Sequence, residues 1–229
     1  MDYFFQAAVS AFRLILRFDP EIFGIVATSL EISLQATLYA SSLAIPLGIL
    51  IAIGQFSGKR PLIHLLNTLM AMPTVMIGLL FYGLFSRRGP LGELGLLYTK
   101  SAVIVGETCL ILPLLMNLII VAVQTSDPRM ITTLKILGAT TRQQILPILT
   151  ELRFAIFAAV ITGFSRAIGE VGAAMMLGGN IQGATRTMTT AIALETSKGD
   201  FETGLALGIV LLVIAFTVNF VMQSLQAEN

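Results

Sequence analysis

The sequence predicts an all-α integral membrane protein, on the evidence of its composition and of its long apolar stretches. Of the 229 residues, 55% are hydrophobic and only 12% are charged, whereas a soluble domain carries about 25% charged residues. The mean hydropathy of +0.87 leaves too few polar groups to cover a surface that faces water. The apolar stretches do not alternate with period two, which argues against a membrane β-barrel. A net charge of +1 gives no electrostatic reason to expect a nucleic-acid partner.

Five stretches are long enough to cross a bilayer as helices, which takes about 20 apolar residues each. We predict these spans at about 24–54, 62–85, 102–125, 153–177 and 203–225. They form one transmembrane domain over residues 23–225. Pro46, Pro73 and Pro113 fall inside the first three spans, where each proline can kink its helix. Residues 1–22 carry apolar side chains at helical spacing and are predicted to lie on the membrane as an amphipathic helix.

A polar segment over 127–152 separates the third span from the fourth. Its pattern predicts two short amphipathic helices that are broken near Gly138. The segment is too long for a turn and too regular for a linker. It therefore predicts a surface that another protein contacts.

Charged residues inside the spans are the candidates for a transport route. Arg166 and Glu170 lie four residues apart in the fourth span, so a continuous helix would place them on one face. Each charge costs roughly 3 kcal/mol to insert at this depth, so neither is expected to face lipid. Glu107, in the third span, could be a second partner for Arg166. Two interpretations stay open, a neutralised pair that holds helices together or a site on the route, and we favour a pair that shapes or gates the route.

The segment after the fourth span adds two further candidates. Gly178, Gly179 and Asn180 predict the end of its helix, and residues 181–200 are rich in threonine and contain Arg186. Hydroxyls, amides and one arginine could contact an oxyanion or could simply solvate a loop, and the composition favours the loop. Asn180 and Arg186 are kept as candidates for the translocation path.

The sequence contains no convincing catalytic, metal or nucleotide motif. The stretch from Gly54 to Lys59 has three residues between its glycines and an arginine after the lysine, whereas a phosphate-binding loop needs four residues and then Ser or Thr. The single Cys109 excludes an internal disulfide, and the single His64 cannot form a metal cluster by itself. We expect a transport subunit with no ATPase site, no metal and no cofactor of its own.

The polar segment resembles the cytoplasmic loop of permease subunits of bacterial ATP-binding-cassette (ABC) importers. That loop usually reads E-A-A-x-x-x-G, then nine residues, then I-x-L-P. Leu137-Gly138-Ala139 matches its centre and nine residues separate Gly138 from Ile148, whereas Thr132-Thr133-Leu134 replaces E-A-A. Residues 28–37, 72–78 and 164–173 are similar to the core domain of these permeases, the last to the molybdate, sulfate and tungstate branch. Residues 175–199 look most like the tungstate members, and the resemblance covers about 23–223.

The resemblance implies the type I ABC importer permease fold, in the cytoplasmic membrane of a prokaryote, with the amino terminus outside and the carboxyl terminus inside. It also implies two short cytoplasmic coupling helices that dock on a separate ATPase subunit, which alone uses ATP. The residues implied for this contact are Leu134, Lys135, Ile136, Leu137, Gly138, Ala139 and Arg142. The implied partners are a second copy of the chain, an ATPase dimer, an extracytoplasmic anion-binding protein and the lipid bilayer.

The implied function is ATP-driven import of an oxyanion by alternating access, with tungstate as the first expectation. Molybdate or sulfate is the alternative within the same family. Two other classes stay open: a proton-coupled secondary transporter that uses Glu107, Arg166 and Glu170, and a membrane subunit that transports nothing. The lack of a recognisable internal repeat weakens the secondary transporter.

Overall fold

The computed structural model describes residues 8–9, 12–13, 15–17 and 19–227, without the side chains at 128, 130, 135, 222 and 225–227. The described residues form helices and turns, and no strand occurs among them. A short 3-10 helix spans Gly92–Leu94. The α-helices are α1 (Pro20–Ile53), α2 (Lys59–Met70), α3 (Thr74–Phe85), α4 (Lys100–Thr125), α5 (Pro128–Ile136), α6 (Thr141–Glu151), α7 (Arg153–Ile168), α8 (Gly172–Gly178), α9 (Met188–Lys198) and α10 (Phe201–Ala227).

Three helices, α1, α4 and α10, are each long and apolar enough to cross a membrane. Two bent pairs qualify if each is counted as one span: α2 with α3, which meet at 96°, and α6 with α7, which meet at 81°. The described part of the chain thus offers three to five crossings. The prediction of an all-α, multi-pass membrane protein is confirmed.

The prolines behave differently from one another. Pro46 and Pro113 lie inside α1 and α4, and both helices continue past them. Pro73 instead precedes the first residue of α3 and lies in the sharp bend after α2. A proline lacks the backbone N–H and disfavours helical geometry at the residue before it, here Met72. The stretch 62–85 is therefore two helices rather than one kinked helix.

The start of α1 is well defined. The Asp19 carboxylate accepts hydrogen bonds from the backbone N–H groups of Glu21 (2.9 Å) and Ile22 (3.3 Å), and Pro20 occupies the first turn. Both features are typical of a helix N-terminus. Half of the residues of the predicted amphipathic helix over 1–22 lie outside the described part of the chain. Of those described, Phe12 and Leu16 are exposed and Ile15 packs against the apolar cluster that contains Ile22.

Apolar clusters define two ends of the molecule. At one end, the last turns of α1 and α4 pack with α2, α6 and the start of α7, with Ile53, Leu66, Val123, Ile148 and Ile156 buried in one cluster. At the other end, the first turns of α1 pack with the end of α7, α9 and α10, with Ile22, Ile168, Met188 and Leu207 buried. We call these the hairpin end and the α9 end.

Candidate coupling surface and transport route

The polar segment forms a hairpin of two helices, α5 and α6, which we call the polar hairpin (residues 128–151). Gly138 lies between them with φ +76°, in the left-handed region that favours glycine. The Ala139 N–H donates to the Leu134 carbonyl oxygen (3.0 Å), which is the long hydrogen bond of a Schellman cap. The glycine therefore ends α5 and reverses the chain, as the sequence predicts.

Glutamine side chains fix the start of α6. The Thr140 N–H donates to Gln143 Oε1 (2.8 Å), which is the reverse half of a capping box. The buried Gln144 donates through Nε2 to the Ala139 carbonyl oxygen (2.8 Å). These bonds stabilise the turn from both sides, so the hairpin presents a defined surface.

That surface exposes large aliphatic side chains. Ile136, Leu137 and Leu146 are 80%, 76% and 69% exposed. Ile148, by contrast, is completely buried in the core at the hairpin end. Exposed apolar side chains on a polar segment are typical of protein interaction sites. The hairpin is thus anchored on one face and open to a partner on the other.

The residues predicted for ATPase contact divide between these two faces. Ile136, Leu137, Gly138 and Arg142 are exposed. Leu134 packs against the buried cluster at the hairpin end, and Ala139 is half-buried. The side chain of Lys135 lies outside the described residues. Sequence reasoning missed Leu146, although a helical projection of α6 would have placed it away from Ile148.

Arg166 and Glu170 form an ion pair, with Nη1 and Oε2 3.0 Å apart. They do not share a helix, because α7 ends at Ile168 and Glu170 lies in the break before α8. Glu170 Oε1 also accepts the Ala173 N–H (3.0 Å), at the start of α8. The Glu170 side chain is 2% exposed, whereas that of Arg166 is 41% exposed. The buried carboxylate of Glu170 therefore binds both the exposed guanidinium of Arg166 and the start of α8.

Arg166 lies on an exposed polar face. Thr162, Ser165 and Gly169 are exposed as well, and the spacing of these residues places them on one side of α7. A guanidinium at this depth is costly in lipid. We therefore expect this face to border water or another protein rather than lipid.

Glu107 is buried in α4 and does not lie on that face. Its carboxyl lies within electrostatic reach of Glu170 and Arg166 and beside the Ser33 hydroxyl. Its Oε2 atom has no hydrogen-bond partner among the described atoms. Glu107 is therefore an interior neighbour of the ion pair.

Asn180 and Arg186 belong to the α9 end. Asn180 has a left-handed backbone (φ 51°) and donates through Nδ2 to the Thr190 carbonyl oxygen (3.2 Å). The mostly buried Arg186 has Nη1 3.7 Å from a Glu21 oxygen and 4.0 Å from a Glu195 oxygen. Two carboxylates thus neutralise Arg186 and join its segment to the first turn of α1.

The expectation of a loop over 181–200 is wrong, because α9 occupies Met188–Lys198. Thr187 and Thr190 form its N-terminal capping box, and Gly199 (φ 84°) ends it. These signals were present in the sequence, but the threonine-rich composition obscured them.

No protein-family model matches the chain. Curated relatives, however, match it along its whole length. It is 42% identical over 228 residues to the tungstate uptake system permease protein TupB of Peptoclostridium acidaminophilum, with 100% of both chains covered. It is 37% identical over 226 residues to TupB of Campylobacter jejuni, with 99% of this chain and 95% of the relative covered.

A third relative supports the same family. The chain is 36% identical over 201 residues to a probable anion ABC transporter permease protein of Haloferax volcanii, covering 86% and 87% of the two chains. The chain belongs to the ABC transporter permease family. The predicted resemblance is confirmed, and this permease is a component of a transport system.

Proposed function

We propose that this permease is the membrane-spanning subunit of an ATP-driven importer that carries tungstate across the cytoplasmic membrane. The observation that carries the proposal is its full-length similarity to two permeases named for tungstate uptake. In this proposal the chain has no ATPase site and binds no cofactor, and a separate ATPase subunit uses the ATP.

The polar hairpin is the proposed contact with that ATPase. The exposed Ile136, Leu137 and Leu146 supply the apolar contact area. Arg142 is exposed beside them and, with Lys135, forms the charged rim. Leu134, Gly138 and Ala139 hold the hairpin in its shape through the cap described above. The hairpin therefore lies in the cytoplasm, which puts the carboxyl terminus inside and the amino terminus outside.

A second copy of the chain is the proposed partner for the exposed face of α7. In a homodimer, the exposed faces that carry Arg166 would surround one aqueous route. Water in the route would then solvate each guanidinium, which would not contact lipid. Together with Glu170, the Arg166 guanidinium would shape or gate that route rather than bind the oxyanion directly. The buried Glu170 keeps that guanidinium in place, and Glu107 lies behind it.

The mechanism is alternating access. An anion-binding protein delivers the oxyanion at the α9 end, where Asn180 and Arg186 lie. ATP closes the ATPase dimer, the hairpins move with it, and the route opens outward. Hydrolysis restores the inward-open state. Such coupling needs a part of the protein that has two arrangements, whose balance is shifted both by the ATPase contact and by the anion site. In this proposal the exposed face of α7 is that part.

Reconstitution tests the proposal. The permease is placed in proteoliposomes with its ATPase and binding protein, and tungstate uptake is measured with each component omitted in turn. We expect uptake only when ATP and all the components are present, and competition by molybdate or sulfate reports the selectivity. Uptake by the permease alone under a pH gradient would instead identify a proton-coupled carrier. No flux in any combination would contradict a transport role.

A further inference from the structure

The break between α7 and α8 is held from outside by a threonine of α9. Thr189 Oγ1 donates to the carbonyl oxygen of Glu170 (2.6 Å), and Thr189 is buried. A helix break within a membrane protein frees backbone carbonyls, and neighbouring side chains must satisfy them. Thr189 satisfies the backbone carbonyl of Glu170, and the carboxylate of the same residue holds Arg166.

The position of Thr189 is itself fixed by α1. The Met188 N–H donates to Ser29 Oγ (2.7 Å), and the Met188 side chain is completely buried. Thr187 Oγ1 lies 3.1 Å from Thr189 Oγ1. Because the single Thr189 proton goes to Glu170, Thr187 must be the donor in that contact. Thr187 therefore helps to orient the hydroxyl of Thr189.

Glu170 is thus held at both its backbone and its side chain. Thr189 bonds the carbonyl oxygen, while the carboxylate accepts from Ala173 N–H and from Arg166. The bond from Thr189 restrains the backbone of Glu170 in the break, and the side chain that holds Arg166 starts from that backbone. The place of the Arg166 guanidinium on the exposed face therefore depends on a bond made by α9.

We propose that Thr189 is a positioning residue for Arg166 and acts on it through Glu170. The inference rests on the proposed function, in which Arg166 borders the transport route. Thr189 lies at the end that receives the binding protein, so the same bond links that surface to the route.

A substitution series at Thr189 tests the role of its hydroxyl. Thr189→Val keeps the shape and removes the donor, Thr189→Ser keeps the donor, and Thr189→Cys has the shape of serine with a weak donor. At equal amounts of permease in the membrane, we expect tungstate uptake to fall about tenfold in Val and less in Cys, and to be retained in Ser. Thr217→Val, at an exposed position of α10 where the hydroxyl donates to the Val213 carbonyl oxygen of its own helix, is the matched control and should leave uptake unchanged.

A double-mutant cycle separates positioning from a general structural role. In the Arg166→Ala background, Thr189→Val should cause little further loss, because the group that Thr189 positions is gone. Two losses that multiply would overturn the proposal. If the Val variant does not accumulate, uptake by Cys equal to uptake by Ser would overturn it as well. A wild-type permease without ATP-dependent uptake would refute the proposed function instead.

Discussion

Replacing Gly138 isolates the effect of one backbone torsion angle on coupling. The residue has φ +76°, and a Cβ atom added there would meet nothing within 4 Å. A substitution therefore introduces no clash with the rest of the protein. Its cost comes from the left-handed backbone, which costs an L-residue about 1–2 kcal/mol. Asn tolerates this region best, whereas a β-branched residue tolerates it least.

That cost is enough to change the population of the turn. A change of about 1.4 kcal/mol is tenfold in an equilibrium constant. If the Gly138 turn opens, the bond from Ala139 to Leu134 is lost, and Leu137 no longer has a defined direction. We expect ATP-driven uptake to decrease in the order Gly, Asn, Ala, Val. Pro should abolish uptake, because its φ is fixed near −65°.

The assay has two parts in the same preparations. Tungstate uptake is measured in proteoliposomes that contain the ATPase and the binding protein, and ATPase retained on the immobilised permease is measured in detergent. The amount of each variant in the membrane fraction is the control and should not change. Wild-type uptake in Gly138→Val would refute the assigned turn. Equal losses in Asn and Val would also refute it, because they would show that bulk rather than φ is limiting.

Three further predictions concern other parts of the molecule. Leu137→Ser or Leu146→Ser should lower ATPase retention about tenfold without changing membrane insertion, whereas Leu212→Ser, on the exposed apolar face of α10, should not affect retention. Exchanging Arg166 and Glu170 should restore more uptake than either single neutralisation but less than wild type, because an arginine at position 170 cannot accept the Ala173 N–H; no rescue would argue against the pairing. Lys59 donates through Nζ to the Ala52 and Gly54 carbonyl oxygens at the end of α1. Lys59→Met should therefore destabilise the purified permease by about 1 kcal/mol, with the exposed Arg60→Met as the control in the same thermal unfolding measurement.

The membrane class and the polar hairpin could be predicted because both depend on local sequence. Apolar composition alone indicates helices in a bilayer. Gly138 and the amphipathic residues around it specify the hairpin directly. The turn needs a left-handed backbone, and glycine is the residue that adopts it most readily. The exposed Ile136 and Leu137 then follow from helix geometry.

The helix breaks could not be predicted in the same way. The stretch from Phe154 to Leu177 is nearly continuous in its apolar character. The sequence therefore does not indicate at which residue a tertiary contact breaks the helix. The break at 169–171 is stabilised by Thr189, which lies 19 residues after Glu170 in the chain. Spacing predicted that Arg166 and Glu170 would pair, and they do, but the pair crosses a break rather than following one helical face.

The position of α7 explains how a contact at the hairpin can reach Arg166. Backbone hydrogen bonds continue through Leu152, from Leu152 N–H to the Ile148 carbonyl and from Ile156 N–H to the Leu152 carbonyl. The side chains of Ile148 and Ile156 are buried in the same cluster. We therefore expect a displacement of the hairpin to be passed on to α7, because separating the two would expose Ile148 and Ile156.

The length of α7 then sets the size of the effect. At 1.5 Å per residue, Arg166 lies about 21 Å along the helix from Leu152. A tilt of about 6° would therefore move Arg166 by about 2 Å, which is enough to break a hydrogen bond of ordinary length. Glu170, however, lies beyond the end of α7 and is bonded to Thr189 of α9. A tilt that starts at the hairpin must therefore carry α9 with it, break the bond from Thr189 or change the ion pair at the break, and each outcome moves the Arg166 charge that faces the proposed route.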